Sequence, residues 1–176
     1  IIPCELTDFS GDALHMIVLK HAADWQLEPD FCLWLERENA FFNTLVDRIV
    51  PGHPKDEITA IEAELGYRDP CLTTAELFHF FAIEQRPGQP APRLPLADWD
   101  EDTIVTPDVT PYKLRKVAIL NGAHTALCPL ALLAGIETVF EAVSHPAGAA
   151  FVRRVLQTEI IPFLDLPETE LQDFAS

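Results

Sequence analysis

The sequence predicts an α/β segment over residues 1–105 followed by an all-α segment over residues 106–176. Three observations carry that reading. Up to about residue 105, short apolar runs alternate with amphipathic stretches, the pattern of strands interleaved with helices. From about residue 110, apolar positions recur at helical spacing almost to the last residue. Between the two, the stretch from Arg86 to Trp99 holds Pro87, Pro90, Pro92 and Pro95. Neither a helix interior nor a central strand accommodates that density of proline, so the stretch reads as a loop.

Within the first segment, Ile1–Leu6 reads as a short buried strand, and Asp8-Phe9-Ser10-Gly11 carries turn chemistry. A helix is expected from about Asp12 to Trp25, because Leu14, Ile17, Val18 and His21 fall at helical spacing. Pro29-Asp30 starts a second helix to about Phe42, with Asp30 as the candidate N-cap. Leu45–Val50 reads as a strand closed by Pro51-Gly52. A short helix is expected from Asp56 to Leu65, ended by Gly66. The aromatic-rich run Leu77–Glu84 reads as a strand. In the second segment, one long helix is expected from about Tyr112 to Ala134, stopped by Gly135. Glu137–Val143 and a helix from His145-Pro146 to about Ile161 follow, and Pro167–Phe174 closes the chain.

The 176 residues suffice for one domain or parts of two, and 48% apolar content supports a sizeable core. Twelve basic against 28 acidic residues give a net charge of −16. That balance argues against nucleic-acid partners, whose phosphates need basic residues, and against anionic membrane surfaces. No run of 18 apolar residues is present, so no membrane span is expected. The first residues, Ile1-Ile2-Pro3-Cys4-Glu5, lack the charged n-region of a signal peptide and read as the middle of a longer chain. Cysteines 4, 32, 71 and 128 are far apart and never form C-x-x-C, which suits neither a disulfide scaffold nor a zinc site. Reduced thiols acting as small hydrophobes in the cytoplasm are expected instead. The histidines show no metal-ligand spacing, so no metal is expected. Scattered glycines offer no G-x-G-x-x-G turn or P-loop, and no G-x-S-x-G elbow is present.

The strongest site-like feature is Lys116-Val-Ala-Ile-Leu-Asn121-Gly-Ala-His124. On an α-helix Lys116 and Asn121 lie about 140° apart and His124 falls about 60° back toward Lys116, a broad polar flank. Val117, Leu120 and Leu127 face elsewhere. A desolvated lysine can take a proton, an amide N–H can hold a developing oxyanion and an imidazole can orient a substrate. From spacing alone, a structural helix with a few polar residues is the commoner explanation. Asp47 and Arg48 interrupt an apolar strand, at the end where open α/β sheets face a ligand crevice, although a local Asp–Arg ion pair at the sheet edge is the commoner explanation. Lys113, Arg115 and Lys116 concentrate three of the twelve basic residues within four positions, as an anionic ligand would require in so acidic a chain, although a solvated helix face is the commoner explanation.

These segments together resemble the polyol-specific long-chain dehydrogenases, the mannitol dehydrogenase family. Lys116, Asn121 and His124 match its Lys-x4-Asn-x2-His motif, and Val46-Asp47-Arg48-Ile49 matches a second motif. Ile1–Leu6, Asn43–Gly52 and Pro111–Leu127 look most like the hexuronate-reductase branch, and the likeness extends over essentially the whole chain. The resemblance implies the C-terminal part of a Rossmann-like NAD-binding domain joined to the start of a helical substrate domain. It implies an NAD-dependent oxidoreductase of the altronate/tagaturonate pair, with fructuronate reductase or mannitol dehydrogenase as same-class alternatives. A non-catalytic acidic helical interaction module is the alternative from another class. By resemblance Lys116 is the general base, Asn121 binds the oxyanion and His124 holds a substrate hydroxyl. Asp47, with Arg48 and Lys113, lies near substrate or nicotinamide, and oligomeric state is left open. Where mannitol dehydrogenase-like members carry Cys-Asp-Asn, this chain has Cys4-Glu5-Leu6, and Leu6 cannot donate the hydrogen bond of that asparagine.

Overall fold

The computed structural model describes residues 1–95 and 100–175. It divides into two compact units, Ile1–Val109 and Thr110–Ser176.

The first unit contains α1 (Ser10–Asp24), α2 (Pro29–Glu38), β1 (Thr44–Asp47), α3 (Ile58–Leu65), β2 (Phe80–Glu84) and β3 (Thr103–Thr106). The three strands form one mixed sheet in the order β1-β2-β3. β1 runs antiparallel to β2, with Thr44 opposite Ile83 and Asp47 opposite Phe80. β3 runs parallel to β2, with Phe81 opposite Thr103 and Glu84 opposite Thr106. A parallel partner needs a long crossover, which the proline-rich stretch after Glu84 begins. The expected loop extends to Trp99, and its last four positions, 96–99, lie outside the described residues.

Several expectations need correction. Ile1–Leu6 forms no strand: Ile1 donates from its amino group to Ala40 O (2.7 Å) and accepts from Phe42 N–H, and the Pro3 carbonyl accepts from the Ser10 and Thr44 hydroxyls. Pro3 has no N–H to extend such a ladder, and Leu6 is 84% exposed. Asp30 is not an N-cap. Pro29 occupies the first helical turn, whose missing donor is an orphan there in any case, and Glu28 precedes it without a side-chain cap. α2 ends at Glu38, which leaves Phe41 and Phe42 extended and buried on the way into β1. β1 starts at Thr44 and stops at Asp47 because the next residues bond elsewhere. Arg48 Nε donates to Glu76 O and Ile49 N–H to a Glu76 carboxylate oxygen at 2.6 Å. β2 begins at Phe80 rather than Leu77, and β3 has no counterpart among the expected strands. The stop at Gly66 holds: its φ of 78° is the left-handed cap, with its N–H on Glu62 O. Three of the four unpaired cysteines (4, 71 and 128) are exposed rather than serving as core hydrophobes.

A buried polar knot fixes this unit. Asn43 is 1% exposed and every polar atom of its side chain is used. Its Oδ1 accepts from Asp12 N–H (3.1 Å), while Nδ2 donates to Asp12 (3.1 Å) and Glu84 (3.0 Å). Glu84, 6% exposed, also accepts from Arg86 Nε (2.8 Å) and from Val109 N–H (3.2 Å). Arg86 then bridges to both Asp12 oxygens at 2.6 and 2.7 Å. Partial burial opposes ionisation of Asp12, yet the hydrogen bonds from Arg86 and Asn43 outweigh it and hold the carboxyl below its usual range. Gly11 admits this closeness, since a Cβ there would stand 2.5 Å from the Phe42 carbonyl group.

The second unit is helical: α4 (Thr110–Arg115), a π turn (Lys116–Asn121), α5 (Gly122–Leu133), α6 (Val139–Ser144), α7 (Pro146–Val155), a second π turn (Leu156–Ile160), a 3₁₀ turn (Ile161–Phe163) and α8 (Glu168–Ala175). α4, the π turn and α5 form the long helix expected there, and Gly135 (φ 72°) ends it. Thr138 and Glu141 form a reciprocal capping box at α6, and His145 Nδ1 caps α7. The core gathers Ile119, Leu156, Ile161 and Leu171. By length and mean hydropathy (1.3) the helix Thr110–Leu133 is apolar enough to cross a membrane. Its Ile119 and Leu127 are each 3% exposed, while 17% of its most apolar window is buried.

The knot makes a stability prediction. Glu84→Leu strands the Val109 N–H and leaves Asn43 Nδ2 and Arg86 with Asp12 alone, and should cost roughly 2–4 kcal/mol. Urea unfolding monitored by circular dichroism measures it. Asp12→Asn, at a half-exposed carboxylate, should cost about 1 kcal/mol or less. That cost should vanish as pH falls through the lowered Asp12 pKa, where wild type loses the same charge.

Candidate functional site

The long helix of the second unit carries the Lys116, Asn121 and His124 constellation, and its middle is not α-helical. Gly122 N–H donates back to Val117 O, a span of five residues, and the π turn covers Lys116 to Asn121. A π turn absorbs one extra residue, so a side chain five positions on lies where α geometry would put one four positions on. The angle from Lys116 to Asn121 thereby closes from about 140° to about 40°. His124 follows in regular α5, about 60° back from Asn121, which returns it to the meridian of Lys116. The three side chains therefore form a stripe about 60° wide. Periodicity alone gave a flank more than twice as broad.

Lys116 is half-buried, whereas Asn121 and His124 are exposed. The opposite side of the π turn is the core, where Ile119 is 3% exposed. The Asn121 carbonyl accepts from Thr125 Oγ1 at 2.8 Å. His124 stands at the rim of an open cavity of about 270 Å³ shared with Leu127, Cys128, Thr138 and Ala142. Of the three clustered basic residues, Arg115 is engaged by aromatic rings. Its guanidinium carbon lies 4.5 Å from the Phe174 centroid and 5.3 Å from that of Tyr112. Cation–π contact of this kind fixes a side chain rather than presenting it to a ligand. Lys113 sits one turn before Lys116, half-buried.

Asp47 and Arg48 belong to the first unit. Asp47 ends β1, opposite Phe80 at the start of β2. It therefore lies at the edge away from the carboxyl ends of the parallel pair β2 and β3, and the crevice argument from strand ends does not apply to it. Arg48 Nε donates to Glu76 O at 2.9 Å.

The structure also gathers groups that the sequence keeps apart. His79, Asp100 and Asp102 bring their ligand-type atoms within 4.8 Å of one another. His79 Nε2 meets Asp100 at 2.8 Å, and Asp100 also accepts from the Thr103 hydroxyl at 2.6 Å. The Thr103 and His79 hydrogen bonds hold the Asp100 carboxyl below its usual range. The Asp100 carboxylate, helped by the Leu77 carbonyl, raises His79 above its ordinary 6.5. The 21-residue separation gave no local signal for this pairing.

The family profile of the mannitol dehydrogenase Rossmann domain matches residues 1–96, and that of the mannitol dehydrogenase C-terminal domain matches residues 108–176. The chain belongs to the mannitol dehydrogenase family. It is 53% identical over all 176 residues to the altronate oxidoreductase of Enterobacter sp. (strain 638), and 52% identical to that of Escherichia coli O6:K15:H31. It spans 36% of the length of each relative. Among solved structures, a D-sorbitol dehydrogenase in substrate-free form matches 99% of the chain with a TM-score of 0.78 at 26% identity. The Pseudomonas fluorescens mannitol 2-dehydrogenase ternary complex with NAD and D-mannitol matches 99% with a TM-score of 0.63 at 25% identity. The chain covers 36% of each of those two proteins as well. In this mannitol dehydrogenase-type chain, the mixed sheet is thus part of a Rossmann-like domain and the helices part of the C-terminal domain.

The His79–Asp100 pair yields a pH prediction. A histidine whose folded pKa is raised stabilises the protein fully below its unfolded value and loses that contribution as pH rises through the folded value. The stability difference between wild type and His79→Ala should be full below the ordinary histidine value of 6.5 and shrink as pH rises through the raised folded value, read from urea midpoints at each pH. A difference that stays constant contradicts the pairing.

Proposed function

We propose that this chain belongs to an NAD-dependent oxidoreductase that interconverts altronate and tagaturonate, and that it carries the proton-handling side of the reaction. The observation that supports this best is the narrow Lys116–Asn121–His124 stripe created by the π turn. The substrate assignment rests on the altronate oxidoreductases, 52–53% identical across the chain.

In the oxidation direction, the neutral amine of Lys116 accepts the proton of the reacting hydroxyl, since the carbon releases hydride readily only as that proton leaves. Bound NAD supplies the hydride acceptor. Asn121 Nδ2 donates to the same oxygen while it carries negative charge. The His124 ring, on the Lys116 meridian, hydrogen-bonds a neighbouring hydroxyl and fixes which carbon is presented. Lys113 supplies positive charge for the sugar-acid carboxylate in a chain of net charge −16. Asp47 and Arg48 are assigned to the substrate and nicotinamide side by family resemblance. Leu6 has no amide to add a second oxyanion donor.

The residues described suit the substrate end of such a site and not the pyrophosphate of NAD. Gly11 is the tightest glycine at a helix start in the first unit, and the space beside it is filled by the Phe42 and Asn43 backbone rather than left for phosphate. The cofactor cradle is therefore assigned to the part of the relatives' length that this chain does not span. Four unpaired thiols suit a reducing compartment, and we place the enzyme in the cytoplasm.

Steady-state kinetics of the full-length protein with altronate and with mannitol test the reading. Lys116→Ala should lower kcat by roughly 10²–10⁴-fold, equivalent to about 3–5 kcal/mol of barrier. Altronate KM should change far less, because Asn121 and His124 remain. A variant with near-normal kcat removes Lys116 from the chemistry, and a preference for mannitol over altronate overturns the substrate assignment.

A further inference from the structure

The π turn is gripped at both ends by neighbours that take no part in the proposed chemistry. Arg115, the residue before it, is held by the ring of Phe174 in α8, 4.5 Å from its guanidinium carbon. The Arg115 Nε is buried without a hydrogen-bond partner, so ring contact rather than hydrogen bonding holds that end of the side chain. Gly122, the residue after the turn, faces Ile160, the last residue of the second π turn. A Cβ on Gly122 would stand 3.2 Å from Ile160 Cδ1, closer than ordinary van der Waals contact, so the methyl occupies the space that a side chain at 122 would need. Between the two grips, Ile119 packs with Leu156 and Ile161.

Such turns are uncommon within helices. Relaxing this one to α geometry would rotate the two flanking helical segments against each other by about 100°, one residue's worth of twist. Either Arg115 or Gly122 would then leave its neighbour, since the two contacts cannot both survive that rotation. The fixed points at 115 and 122 therefore determine the angle between Lys116 and Asn121.

We propose that Gly122 and Ile160 form a positioning pair that keeps the π turn in place and thereby aligns Lys116 with Asn121 and His124. The proposal rests on the catalytic reading of those three residues. In the full-length protein, Gly122→Ala should push Ile160 and the turn apart and lower altronate kcat by about tenfold or more, since small misplacements of reacting groups are costly. KM should change less than kcat, because misalignment of a proton acceptor with the reacting oxygen is felt chiefly in the transition state. Ile160→Val removes the Cδ1 methyl. Alone it should leave kcat within about threefold of wild type, and combined with Gly122→Ala it should restore most of the lost activity, a coupling that independent sites do not show. Hydrogen exchange of the amides from Lys116 to Gly122 should rise in Gly122→Ala and fall again in the double variant, a readout independent of turnover. An unchanged kcat in Gly122→Ala, or a loss that Ile160→Val does not repair, overturns the positioning pair. If Lys116→Ala is silent while the exchange pattern follows the prediction, the catalytic reading fails and the packing device stands.

Discussion

Asn121 stands five positions after Lys116, and an α-helix cannot place two such side chains on one line. The α repeat of 3.6 residues leaves them more than a third of a turn apart. The second unit removes that mismatch. Its long helix takes in an extra residue at the π turn, presents Ile119 inward from the same turn and resumes α geometry at Gly122. A second π turn, Leu156–Ile160, lies against the first, so both helices depart from regular repeat where they meet. Each departure has a threonine nearby whose hydroxyl returns to a carbonyl four residues back, Thr125 to Asn121 and Thr158 to Arg154. Hydroxyls used in this way compete with the regular ladder and tend to accompany bends in helices.

The first unit solves a different problem. Its sheet has only three short strands, so apolar faces alone position little. Asn43, at the threshold of β1, does the joining: its amide reaches α1 through Asp12 and the end of β2 through Glu84. Burying an amide and a carboxylate is costly unless every polar atom is answered. Here the Asn43 side chain is answered throughout, and Glu84 receives Asn43, Arg86 and the Val109 amide. Such a knot tolerates few alternatives in the way α1 meets the sheet, because each alternative strands a buried donor or charge.

Much of this was legible in the residues. The switch from α/β to helical pattern, the glycine stops at 66 and 135, the helix over α1 and the long helix to Leu133 all follow from periodicity and cap chemistry. The strand expected over Ile1–Leu6 failed because an apolar run says nothing about whether a partner strand lies beside it. β3 was missed for the converse reason: Thr103-Ile-Val-Thr106 is too short to show alternation, and its place in the sheet comes from pairing with β2. Asn43 and Glu84 read as ordinary polar residues in sequence, 41 positions apart, and only the folded chain gives them a common site. At the candidate site the residue types were legible and their geometry was not. Apolar spacing across six residues does not distinguish an α turn from a π turn, so the polar flank looked broad.

The π turn also ties stability to the site. Lys116 and Asn121 face outward from the same turn that sends Ile119 into the core beside Leu156 and Ile161. Interiors are close-packed, so a change in volume there is accommodated by movement of neighbours rather than by empty space. In a regular helix such movement shifts side chains along one surface by small amounts. In a turn that differs from α geometry by a whole residue, the alternative state is discrete, and reaching it rotates one flank of the site against the other. Under the proposed function, substitutions near Leu156 or Ile160 act on the Lys116–Asn121–His124 stripe although none of those three residues lies among them. The packing inside the helix pair and the alignment of the stripe on its surface are then one problem.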